Sequence, residues 1–182
     1  MIFTPTFLQG NFVIDLNVNT DDRGWFGRTF CRDTFEKEIG HTKEWMQMNH
    51  SFTTLKGALR GLHYQIAPFS EIKLVRCVAG SVFDVIVDIR KNSPTYLQYF
   101  GTELSSVNKR MMYIPEGFAH GFQTLEKNTE LIYCHSENYN AGAESGILYN
   151  DPILKINWPL SVTEISKRDT EHTFINSDFK AL

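Results

Sequence analysis

An all-β, double-sheet architecture is predicted by three features of the chain. Aromatic residues make up 13% of it, with 14 Phe, 7 Tyr and 3 Trp. Such side chains suit a pleated, half-buried surface, as do the β-branched residues that recur in short runs along the sequence. Gly, Asn, Asp and Pro interrupt those runs roughly every ten residues, the spacing of sandwiches and barrels. The strand candidates in order are NFVIDLNV (11–18), GWFGRTF (24–30), GALRGLHYQ (57–65), YLQYFGTEL (96–104), RMMYIP (110–115), GFQTL (121–125), TELIYCHS (129–136) and ESGILYN (144–150). IKLVRCV (72–78) and VFDVIVDIR (82–90) flank Ala79-Gly80-Ser81, where glycine supplies the positive φ of a tight hairpin. Helices are few: in DTFEKEIG (33–40), Asp33 is placed to cap the first turn, Glu36 follows three positions on, and Gly40 ends it. After Trp158-Pro159 the tail predicts one short helix and an extended end. No repeat or linker divides the 182 residues, so 1–182 is read as one domain.

Charge and composition exclude several classes of partner. Eighteen Lys and Arg face 21 Asp and Glu, a formal charge of −3, with no basic run to serve as a nucleic-acid footprint. The longest apolar stretch, SVFDVIVDI (81–89), is broken by Asp and is too short for a membrane span, and residues 1–12 lack a leader pattern. A soluble, cytoplasmic protein is expected. Cys31, Cys77 and Cys134 form no CxxC pair, as suits reduced packing residues.

Residues able to do chemistry cluster in four segments. Arg60, His63 and Tyr64 crowd one strand candidate. In a regular strand Arg60 and His63 would face opposite ways, but a bulge at Gly61 would re-aim one of them. His63 is then either a structural, hydrogen-bonded imidazole or a general base. Asp84 interrupts an apolar strand and Lys73 precedes another, so each needs a partner or a function. Asp88 and Arg90 read as a solvated strand end. Tyr133 and His135 share one strand face, where tyrosine serves amphipathic packing or catalysis. Asp169 reads locally as an ordinary surface carboxylate. An imidazole base, an ammonium, a phenol and an orienting carboxylate together fit proton abstraction beside a carbonyl.

IPEGFAHGF (114–122) holds Pro115, Gly117 and His120 in a PxGxxH arrangement that resembles half of the cupin signature. The partner motif reads His63-Tyr64-Gln65 without a second histidine, so His63 and His120 supply two of the three or four ligands a metal needs. The ordered string DDRGWFGRTF (21–30), NHSFTTLKGALRGLHYQ (49–65), KLVRCVAGSVFDVIVDIRKNSPTY (73–96), IPEGFAHGF and NDPILKINWP (150–159) resembles the dTDP-4-dehydrorhamnose 3,5-epimerase family from about Asp21 to Asp169. The resemblance implies a cupin-type double-stranded β-helix (jelly roll) with a few short helices. It also implies a cofactor-independent, metal-free homodimer that epimerises a nucleotide-linked 4-keto-6-deoxyhexose at C3 and/or C5. By motif position it implies His63 as base, Asp169 as its partner, Tyr133 as opposite-face acid and Lys73 as enolate stabiliser. It sets His120 and Asp84 beside the sugar, and Arg23, Phe26, Gln47, Asn49, Arg60 and Tyr139 at the nucleotide diphosphate.

Two positions depart from the family pattern: Arg28 stands where glutamate is usual, and Glu71 where glutamine is usual. The nucleotide base is therefore open between thymidine, the leading expectation, and cytidine or guanosine, as is inversion at one carbon or two. A metal-dependent cupin oxygenase or isomerase and a non-catalytic sugar-binding jelly roll are the competing classes. An exposed edge in the aromatic N-terminal strands is the local reason to expect pairing about a two-fold axis.

Overall fold

A computed structural model describes residues 1–40 and 43–182. Its strands in chain order are β1 (Ile2–Pro5), β2 (Phe12–Asp15), β3 (Val18–Asp21), β4 (Gly24–Gly27), β5 (Gln47–Thr53), β6 (Ala58–Gln65) and β7 (Lys73–Ala79). They continue with β8 (Ser81–Asp88), β9 (Tyr99–Ser105), β10 (Met111–Ile114), β11 (Phe118–Thr124), β12 (Thr129–His135), β13 (Glu144–Gly146) and β14 (Glu164–Ile165). The helices are α1 (Arg32–Ile39) and α2 (Lys167–Thr170). A six-stranded sheet runs β1-β2-β10-β7-β12-β5, a second runs β13-β6-β11-β8-β9, and β3 and β4 form a separate hairpin. β14 adds to β6 in parallel. All other pairings are antiparallel, as the double-sheet expectation requires.

Three apolar layers explain the strand sequences. Val13, Val75, Cys77, Met112 and Leu131 of the first sheet meet Val82, Ile86, Leu104, Phe118 and Phe122 of the second in a central core. The outer face of the first sheet, with Ile14, Leu74, Met111 and Tyr113, is covered by Phe35 of α1. The outer face of the second, with Leu62, Val85, Val87 and Ala119, is covered by Ile147, Leu154 and Ile175. β7 and β8 are therefore apolar on both faces, because each sheet is buried on both sides.

That double burial overturns the hairpin expected at Gly80. β7 hydrogen-bonds to β10 and β12, whereas β8 hydrogen-bonds to β9 and β11, so the chain changes sheet between them. Gly80 (φ +69°) makes the corner, and a Cβ there would lie 2.5 Å from Thr129 Oγ1. The same local turn chemistry serves both geometries; tertiary packing decides between them. Asp33 is not the N-cap of α1. Cys31 takes that place without a side-chain cap, and Asp33 complements the dipole in the first turn, while Gly40 closes the helix in the left-handed region as expected. Asp88 is not solvated: it is fully buried and accepts hydrogen bonds from Arg90, Ser93 and Thr95. β1, β5 and β14 had no strand prediction, nor had β3 beyond Val18.

Candidate active site

The two sheets open at one end around a cavity of about 690 Å³. His63, Lys73, Tyr133, Gln47, Asn49, Arg60, His120 and Tyr139, all singled out from the sequence, line it. His63 comes from β6 in one sheet and Tyr133 from β12 in the other, so the two groups meet one space from opposite walls.

A bulge allows both Arg60 and His63 to reach that space. His120 of β11 pairs with His63, but Phe122, two positions on, pairs with Arg60, so the ladder shifts between them. Gly61 sits in the shift with φ +112°, and a Cβ there would come within 2.6 Å of Gly121 Cα and 2.7 Å of the His120 carbonyl oxygen. Only glycine fits so close to backbone.

His63 Nε2 lies 2.8 Å from Asp169 Oδ1, and the Gly61 N–H donates to Asp169 Oδ2 at 3.1 Å. Asp169 is 2% exposed, which corrects its local appearance as a surface carboxylate. It is carried there by α2, whose N-cap Ser166 accepts from the Asp169 N–H. Burial raises the Asp169 carboxyl, but the hydrogen bonds and charge of His63, with the Gly61 amide, outweigh it and lower the group to about 2. An ionised Asp169 accepts the Nε2 proton, leaving the lone pair of a neutral His63 on Nδ1.

Across the cavity the Tyr133 hydroxyl is 2.8 Å from Ser51 Oγ, and burial pushes its phenol above the ordinary range. Tyr133 therefore keeps its proton at neutral pH. On the His63 wall, His120 Nε2 lies 2.8 Å from buried Asp84 Oδ1, and the His120 ring stands edge-on to Tyr133 at 6.4 Å. The cavity-facing ammonium of Lys73 is 3.1 Å from Glu71 Oε1, so the carboxylate at this unusual position does meet the cation beside it. Burial raises the Glu71 carboxyl, yet His135 and Lys73 together bring it below its ordinary value. Arg60 donates to Thr53 Oγ1 and to the Phe52 carbonyl, which aims it along the cavity rim.

Arg23 and Phe26 are the exceptions. They lie on the β3–β4 hairpin in a separate depression, with Phe26 71% exposed, and neither lines the cavity of its own chain. Arg28 follows the same hairpin and is exposed. Cavity residues that the sequence did not single out as site residues include Ser51, Glu144, Arg168 and His135. His135 had been placed on the Tyr133 face, which was the available signal; Ser51 had none. Among the described residues one group could converge on a metal: ligand atoms of His63, Asp169 and His172 lie within 4.8 Å of one another. An ion held there would compete with a proton for His63, the residue best placed to act as a base.

A family model described as dTDP-4-dehydrorhamnose 3,5-epimerase matches residues 5–177. The chain belongs to that family. The dTDP-4-dehydrorhamnose 3,5-epimerase of Shigella flexneri is 45% identical over 168 residues, 92% of each chain. The Legionella pneumophila 3,5-epimerase, solved with dTDP-4-keto-L-rhamnose, superposes with a TM-score of 0.90 at 39% identity, covering 95% of this chain and 92% of its own. A 3'-monoepimerase from Streptomyces bikiniensis, solved with dTDP-quinovose, gives a TM-score of 0.88 at 29% identity, covering 93% and 86%. Epimerisation of a nucleotide-linked keto sugar goes with the family, as does the jelly-roll fold. No helix among the described residues is long and apolar enough to cross a membrane.

Proposed function

We propose that this protein inverts a dTDP-linked 4-keto-6-deoxyhexose at C3 and C5, with His63 as base and Tyr133 as acid. The observation that carries the proposal is the placement of those groups on opposite walls of one cavity. His63 Nδ1 takes the proton from the carbon beside the keto group, and the C–H electron pair moves to the carbonyl oxygen as an enolate. Lys73 stabilises that oxygen. Tyr133 returns a proton to the other face of the carbon as the enolate collapses, and both groups recover their starting states by exchange with solvent. Positioned acid–base groups contribute roughly 10²–10⁴-fold each, and a preorganised cation at the developing oxyanion a further 10²–10³-fold or so.

Gln47, Asn49, Arg60 and Tyr139 line the same cavity, and to them we assign the nucleotide diphosphate. His120 and Asp84 support the sugar. Arg23 and Phe26 act on the nucleotide only if a second copy delivers its β3–β4 hairpin, which favours a homodimer. The exposed edge strand β5, with Met48 and Phe52 at 68% and 54% exposure and Met46 just before it at 54%, is surface available for pairing. Three unpaired cysteines suit a reducing cytoplasm. Inversion at C3 alone is the second possibility, favoured by the similarity to the monoepimerase.

The test is a panel of dTDP-, CDP- and GDP-linked 4-keto-6-deoxy sugars incubated with enzyme in heavy water and followed by NMR. Label at C3 and C5 of the dTDP sugar is expected. Label at C3 only selects monoepimerisation, and no label in any sugar refutes proton abstraction.

A further inference from the structure

A hydrogen-bond chain runs through the cavity wall and converges on Glu71, which also accepts from the ammonium of Lys73. The Tyr139 N–H donates to Gln47 Oε1 at 3.0 Å, and Gln47 Nε2 donates to Asn49 Oδ1 at 3.0 Å. Asn49 Nδ2 faces His135 Nε2 at 3.3 Å, and His135 Nδ1 faces Glu71 Oε2 at 2.7 Å. Lys73 Nζ then meets Glu71 Oε1 at 3.1 Å. Strand register builds the chain: His135 of β12 is the cross-strand partner of Gln47 on one side and of Lys73 on the other. The side chains of Lys73, Glu71 and His135 are only 10%, 10% and 11% exposed.

Each link constrains the next. The Asn49 carbonyl oxygen is engaged by Gln47, so its amide nitrogen is the group that faces His135. A donor at Nε2 requires the lone pair there and the proton on Nδ1, which suits the ionised Glu71. Glu71 thus accepts from both sides, with one oxygen for His135 and one for Lys73.

We propose that Glu71 and His135 are positioning residues that hold the Lys73 ammonium over the reacting carbonyl. The role rests on the epimerase function proposed above. A neutral amide at position 71 has one acceptor where two donors arrive. In Glu71→Gln, the side-chain NH₂ must face either Lys73 or His135 Nδ1–H, and one link is lost. An ammonium released from its anchor swings on a four-carbon stem, and misplacement of a catalytic group by about 1 Å costs on the order of 10²-fold in rate.

The test compares wild type, Glu71→Gln, His135→Phe and His135→Asn, whose amide nitrogen overlays Nδ1. The expected result is a fall in kcat for deuterium incorporation by roughly 10- to 100-fold in Glu71→Gln and His135→Phe. The Kd for dTDP and the melting temperature should stay near wild type, and His135→Asn should recover most of the rate. Wild-type kcat in Glu71→Gln overturns the proposal, as does a loss that follows the dTDP affinity or the melting temperature. Nitrogen-15 NMR of His135 gives a readout independent of turnover, the Nδ1–H tautomer in wild type. An Nε2–H tautomer in the wild type overturns the chain whatever the enzyme's substrate. Absence of exchange in wild type, with the Nδ1–H tautomer present, upholds the chain and rejects the epimerase function instead.

Discussion

Replacing Asp169 by asparagine should trap His63 in a tautomer that cannot act as a base. The substitution is nearly isosteric, and the Gly61 N–H, 3.1 Å from Asp169 Oδ2, is buried and needs an acceptor. The asparagine oxygen must therefore stay on the Gly61 side, which turns its NH₂ towards His63 Nε2, now 2.8 Å from a carboxylate oxygen. Nε2 becomes the acceptor, the ring proton moves to Nδ1, and the lone pair needed for abstraction is lost. The rate of deuterium incorporation should fall by about 10³–10⁴-fold, the scale for a base held in the wrong tautomer. Affinity for dTDP, measured by calorimetry, should change by less than about threefold, because Asp169 does not line the cavity itself. An Asp169→Asn enzyme that exchanges protons within about threefold of wild type would refute the dyad.

Tyr133→Phe keeps the ring packing against Phe122 but removes the hydroxyl; net inversion should drop about 10²–10⁴-fold, while label at the abstracted carbon is retained on the original face, as read by NMR of the product. Gly61→Ala places a methyl against the backbone of Gly121 at positive φ and should lower stability by about 2–4 kcal/mol, measured by urea unfolding. Asp169, at about 2 when folded against an ordinary 3.8, contributes stability that is complete above pH 3.8 and lost as pH falls towards 2. That contribution is at most about 2 kcal/mol, and acid titrations of wild type and Asp169→Asn should converge across that window. Sedimentation at micromolar concentration should give a dimer; a monomer would leave Arg23 and Phe26 without a cavity to serve.

Strand content and the Gly61 bulge were legible in the sequence because they depend on local signals, whereas Gln47, Asn49 and Tyr139 of the cavity wall came from the family resemblance. GALRGLHYQ carries a glycine between two functional residues, and alternation in TELIYCHS places Tyr133 and His135 on one face. What failed depends on distant packing. Gly80 looks like a hairpin glycine whether the next strand joins the same sheet or the opposite one. Asp169 looks exposed until α2 folds it behind His63, some hundred residues away in the chain. Asp88 sits near a turn, as expected, but the following Ser93 and Thr95 close over it. The Arg23 and Phe26 assignments came from family resemblance, and a single chain leaves them outside the cavity.

Proton exchange in heavy water by wild type and His63→Ala tests the central claim most directly, with dTDP-4-keto-6-deoxyglucose as substrate and NMR as the readout. Wild type should place deuterium at C3 and C5. The variant should bind dTDP normally and incorporate none above the uncatalysed rate. Undiminished labelling by His63→Ala would contradict the assignment of that imidazole as the base.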